Sequence, residues 1–199
     1  MYALVTDGTI TKYFNNPKGF TLGDLQYPKD IFMKWSVEEK EAIGIYEVVF
    51  DDSNKKDEAW YINTNQSFAF ASGTVTASYG SATAKAHADR NGTDEDGVDL
   101  DPVVVIEGLK TTLIRTVKTQ AAGILANTDW YITRNAEKSI AIPSAISTHR
   151  DAVRTKQAQM ETAITNASNT PALETLYTYT KQSDGTVTRP LGELPTLEI

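Results

Sequence analysis

The chain has 199 residues, 40% hydrophobic and 23% charged, with a formal net charge of −7. That composition belongs to folded chains of one or two small domains rather than to disorder. Its acidic balance speaks against non-specific nucleic-acid binding, which needs clustered Lys and Arg to release counterions. No cysteine is present, which excludes disulfides, thiolate metal sites and cysteine nucleophiles.

No apolar run approaches the roughly 18 residues of a membrane span. The start, Met1-Tyr2-Ala3-Leu4-Val5-Thr6-Asp7-Gly8, has no basic stretch and meets an acid within one turn. A signal peptide is therefore not expected.

Residues 1–80 read as a small α+β unit of antiparallel strands and one short helix. Ala3-Leu4-Val5 and Thr9 to Tyr13 flank Asp7-Gly8, a pair that suits a two-residue hairpin because both positions need φ > 0. Ser36-Val37-Glu38-Glu39 fits a capping box, and the helix it opens is expected to stop at Gly44. Ile45 to Phe50 is a strand candidate. Phe68-Ala69-Phe70 and Thr74 to Tyr79, joined through Ala71-Ser72-Gly73, predict a second hairpin. The aromatics Tyr13, Phe14, Phe32, Trp35, Trp60, Phe68 and Phe70 suffice for a core, which is the expected use; an aromatic groove for sugar or peptide is the other.

Residues 81–101 turn small and polar, then acidic, and read as a linker. Asp89 to Asp101 invites a calcium reading, because hard cations want clustered oxygens. The spacing fails: with Gly97 at the sixth loop position, Gly92 falls first and Val103 twelfth. No metal site is expected.

Residues 102–175 predict a helical hairpin. Pro102 is expected at the first helical position, capped by Asp101. Ile106, Leu109, Leu113, Val117, Ala121 and Ile124 then recur at helical spacing. Asn127 to Arg134 reads as a connector, with Trp130 as a helix-hairpin anchor rather than an exposed hot spot. Pro143 opens the second helix, where Ile146, Val153, Met160, Ile164 and Ala167 share a face with His149 and Gln157. Two helices leave apolar faces over once paired. The N-terminal unit, the C-terminal hairpin or a second copy of the chain must cover them, and a self-associating seam is the expected answer. Arg150 and Arg154 lie four apart, either gripping a partner's carboxylates or ion-paired with Asp151, Glu161 or Asp129. Residues 176–199 predict a β-hairpin turning at Ser183-Asp184-Gly185 and an extended tail ending at Ile199.

Catalytic patterns are not met. The two histidines are His87 and His149, with no Gly-x-Ser-x-Gly elbow and no phosphate loop. The acids Asp51, Asp52, Asp57 and Glu58 sit on one charged turn, where carboxylates ordinarily face water. No cofactor is expected, and the chain reads as a non-enzyme.

The order Gly108-Leu109-Lys110, Thr116 to Leu125, Thr128-Asp129-Trp130, Arg134, Ile142-Pro143, Arg150-Asp151-Ala152-Val153-Arg154 and Met160 to Ile164 resembles a helical segment of tailed bacteriophages. That segment belongs to their tail-fibre-associated and tail-assembly-chaperone-like proteins. Trp35 to Glu39 and Gly44-Ile45-Tyr46 are also similar to the start of phage tail-region proteins. One departure is His149-Arg150, where the family often has Tyr-Arg. The resemblance implies a virion structural protein of the tail or tail fibre, made in the host cytoplasm. Its partners would be other tail proteins and its own copies, as a trimer or ring, with no nucleic acid and no membrane insertion. The expected contact residues are Leu113, Val117, Ile124, Trp130, Ile146, His149, Arg150, Val153, Arg154, Met160 and Ile164. The alternatives are an assembly chaperone absent from the finished particle and a glycan-binding or glycan-cleaving receptor module.

Overall fold

A computed structural model describes residues 1–197 and is α+β, with a sheet in the N-terminal half, helices centrally and a C-terminal strand hairpin. Ile199, the end of the expected tail, lies outside the described residues. The chain divides into two compact units at Thr83/Ala84.

In the first unit, β1 (Tyr2–Thr6) and β2 (Thr9–Phe14) form the expected hairpin, and both turn residues have positive φ, 52° at Asp7 and 75° at Gly8. A short hairpin not anticipated from the sequence follows, β3 (Phe20–Leu22) with β4 (Leu25–Tyr27). Then come α1 (Ile31–Lys34), α2 (Val37–Ala42) and β5 (Ile45–Asp51). The capping box on α2 is present: the Glu39 N–H donates to Ser36 Oγ at 3.2 Å, and the Ser36 N–H to Glu39 Oε2 at 2.8 Å. Gly44 ends the helix at φ +80°, and a Cβ there would run into the Val5 carbonyl. That carbonyl crowds Gly44 because the chain passes straight into β5, with the Val5 N–H donating to Gly44 O at 2.8 Å.

β6 (Tyr61–Ile62), β7 (Ser67–Ala71) and β8 (Thr74–Ser78) complete this unit, and β9 (Thr83–Ala84) stands at its border. The main sheet runs β2-β1-β5-β8-β7. It is mixed rather than wholly antiparallel, because β8 pairs parallel to β5. The β7–β8 hairpin joins through β8, whose Val75 and Ala77 are fully buried, and leaves the half-exposed β7 as an edge. Alternation along β1 splits the core in two. Ala3 and Val5 face Val48, Val75 and Ala77, while Leu4 faces Phe14, Phe20, Ile31, Phe32 and Ile45. The aromatics are spent on packing, as expected, except Tyr13, which is 44% exposed. Phe14 meets Phe20 and Phe32 with ring centroids 5.0 and 5.2 Å apart, Trp35 stands edge-on to Tyr27, and Trp60 is buried.

In the second unit, β10 (Arg90–Asn91) pairs with β11 (Val105–Ile106), followed by α3 (Leu109–Ala126), α4 (Asp129–Lys138), α5 (Ser144–Asn166) and α6 (Thr170–Tyr177). β12 (Thr180–Lys181) and β13 (Val187–Thr188) make the C-terminal hairpin, turning at Gly185 with φ +86°. Two expectations are corrected here. The first helix starts at Leu109, not at Pro102. Val103 to Ile106 is a β-branched run that stays extended, and the cap comes from a distant residue. The Gly108 N–H and the Thr111 hydroxyl both donate to the Asp89 carboxylate at 2.7 Å. These two donors, the Gly108 N–H first, hold Asp89 below its ordinary pKa.

The second correction concerns Asn127 to Arg134. Only Asn127 and Thr128 separate α3 from α4, so the expected connector is mostly helix. α4 ends at Ser139, which is left-handed at φ +55°. At the end of α5, Asn169 caps α6, its Oδ1 accepting the Ala172 N–H at 2.9 Å.

Candidate partner-binding site

α5 supplies the inner wall of the helical unit. Its buried positions Ile146, His149, Arg150, Val153, Met160 and Ile164 follow the three-four spacing of a helix packed along one side. α3 packs against them with Val117 and Ala121 buried, and with Leu113 and Ile124 half-buried. Val153 and Ile164 have no exposed surface at all. The seam is therefore filled inside a single chain, which corrects the expectation that a second copy covers it. The third wall comes from α6 and the C-terminal segment. Leu173 and Leu191 are buried, and the Leu191 N–H bonds Leu176 O at 3.0 Å. Pro195, Thr196 and Leu197 line a cleft with Ile124, Thr128 and His149.

The two arginines part company. Arg150 is buried and turned toward the α3/α4 junction. Its Nη1 donates to Leu125 O at 2.8 Å and to Thr128 Oγ1 at 2.7 Å, and its Nη2 pairs with Asp129 Oδ1 at 2.8 Å. A planar guanidinium can serve these acceptors at once, which an ammonium on a flexible stem cannot match. Arg154, one turn on, faces solvent and pairs with Asp151 at 3.2 Å, a contact of the kind that contributes little. Both pairings are among those the sequence offered.

Arg150 does the anchoring that had been expected of Trp130. Trp130 is 51% exposed. It lies against Tyr131, ring centroids 3.8 Å apart, and the Arg134 guanidinium sits 4.6 Å from the Trp130 ring and 5.3 Å from that of Tyr131. The spacing 130, 131, 134 puts all three on one side of α4. Arg134 Nε is shielded and its N–H has no hydrogen-bond acceptor, as fits a guanidinium held flat over the rings. Ile132, 41% exposed, borders a neighbouring cleft with Ile142, Ser147, Asp151 and Arg154.

α4 thus presents a rigid aromatic-guanidinium platform next to a small cleft rimmed by both charge signs. Trp, Tyr and Arg are the residue types that carry most binding energy at protein interfaces. Of the contact residues expected from sequence, Trp130 and Arg154 lie at the surface. The others belong to the core or to its edge. Tyr131, Ile132 and Arg134 were missed, although an arginine three and four residues after two aromatics in a helix signals a stacked cation. Among the described residues no group of three or more His, Asp or Glu side chains is placed to hold a metal ion, and no helix is long and apolar enough to cross a membrane.

No protein-family model, curated protein or solved structure matches this chain.

Proposed function

We propose that this chain is a non-enzymatic structural protein of a bacteriophage tail or tail fibre, an adaptor that works through protein–protein contacts. The observation that carries the reading is the exposed Trp130-Tyr131-Arg134 platform on α4. A tryptophan left half in water, flanked by a tyrosine and roofed by an arginine, stabilises the monomer little and suits a partner's apolar pocket. The helical-segment resemblance to tail-fibre-associated proteins supplies the setting. Copies assembling into a trimer or ring would meet through exposed surfaces of this kind, because the seam of α5 is already filled.

The test has two parts. Mass spectrometry of purified phage particles should find the chain as a stoichiometric component; its absence there, with presence in infected cells, would replace the adaptor by an assembly chaperone. In the second part, Trp130→Ala should leave the thermal melt in place. It should weaken the chain's attachment to tail proteins by about 2 kcal/mol or more, some thirtyfold. Undiminished incorporation of that variant would remove α4 as the contact.

A further inference from the structure

Apart from Asp89 and Glu107, which bond to the first turns of α3, the arm of residues 89–107 has no role in the α4 platform or in the packing of the helices described above. The chain leaves Asp89 along β10, turns at Gly97 with φ +82°, and returns to β11. The fold of this arm is real but thin. The Gly92 N–H donates to Val104 O at 2.7 Å, the Leu100 N–H to Gly92 O at 3.0 Å, and the Asp94 carboxylate accepts the Asp96 and Val98 N–H groups. A Cβ at Gly92 would stand 3.2 Å from the Val104 carbonyl oxygen and 3.3 Å from Leu100 Cδ1, a tight fit that favours glycine. What the arm does not do is hide its apolar residues. Val98, Val103, Val104 and Val105 are each between 50% and 61% exposed.

Charge distinguishes this surface. Seven carboxylates and a single arginine lie between Asp89 and Glu107, in a chain whose formal charge is −7, so the remainder is nearly neutral. Asp89, Asp99 and Glu107 are engaged with Thr111, Asn91 and Arg115, whereas Glu95, Asp96 and Asp101 face solvent.

We propose that this acidic arm is a docking surface for another protein, whose contacting segment is an extended strand with Lys or Arg between apolar residues. Among the described residues β11 has a strand beside it on one side only, and a strand with a free side takes up another by backbone pairing. The valines supply apolar contact, and the surrounding carboxylates select the sign of the partner. A second copy is the wrong occupant, because pairing arm to arm would set like charges together, and the rest of the chain carries no net positive charge to offset them. This inference stands whether or not the chain resides in a phage particle.

The experiment uses the whole chain and a fluorescein-labelled peptide of alternating Lys and Val, with its Glu–Val counterpart as control, followed by anisotropy. The Lys–Val peptide should bind at least about tenfold more tightly than the control and weaken as salt rises. Val103→Ser/Val105→Ser should reduce that binding about tenfold while the melt stays at the wild-type temperature, since both side chains already face water. Glu95→Gln/Asp96→Asn/Asp101→Asn should do the same through charge alone. Absence of binding, or binding indifferent to the valine changes, overturns the proposal. So does a dimer seen by light scattering and abolished in the valine variant, which would give the surface to a second copy.

Discussion

Two neighbouring helices of the second unit put similar residues to opposite uses. On α5, the periodic apolar positions and Arg150 are turned inward, and Val153, Met160 and Ile164 have almost no surface left. On α4, an aromatic pair and Arg134 are turned outward over half-exposed rings. A regular apolar stripe tells where a helix is held; it does not tell what holds it. Here α3, α6 and the C-terminal segment do so within the chain, and the material for recognition lies on the short helix that lacks any buried residue.

The largest effect that would break this comparison is at Val153. Val153→Asp places a charge in a fully buried apolar site and should cost more than about 4 kcal/mol. The expected result by circular dichroism and light scattering is loss of the helical fold. A folded monomer released from a larger assembly would restore the inter-chain seam. The next effect separates the arginines. Arg150→Met removes the charged donor shared by Leu125 O, Thr128 Oγ1 and the Asp129 carboxylate and should cost roughly 1.5–3 kcal/mol. Arg154→Met should stay within about 0.5 kcal/mol, as exposed ion pairs do. Equal denaturation midpoints for the two variants would mean that the buried network contributes nothing.

The smallest effect is at the start of α3. The hydrogen bonds from Gly108 and Thr111 lower the Asp89 pKa in the folded state below its ordinary 3.8. A lowered folded pKa means that the unfolded chain takes up the proton first. The contribution is therefore present in full above the ordinary carboxylate value and is lost as pH falls through the lowered one. Asp89→Asn should remove this part of the acid dependence, flattening the melting temperature below about pH 4 relative to wild type. An unchanged acid limb would show that the cap is not formed in solution.

The features legible from sequence are those closed within a few residues. Asp7-Gly8 turns as its pair of positive φ values demands, Ser36 and Glu39 cap each other, Gly44 ends its helix, and the apolar spacing of α5 is the face that is buried. The misread features depend on residues far apart in the chain. The start of α3 was placed at Pro102 because Asp101-Pro102 is a good local cap, and the carboxylate that caps it belongs to Asp89. Trp130 reads from sequence as the anchor that plugs the gap of a helical hairpin. Its place is taken by Arg150, 20 positions later, whose three acceptors nothing in the local pattern announces.

What the amino-acid sequence by itself determined is the α+β class, the β1–β2, β7–β8 and β12–β13 hairpins and the helix faces, because turn chemistry and periodicity act over one or two turns of chain. Tertiary structure alone decided that β8 lies parallel to β5, that Arg150 faces inward while Arg154 faces water, and that the C-terminal segment closes the helical core. Those choices turn on which surfaces meet across many tens of residues, where burial and the pairing of stranded polar groups outweigh any local preference.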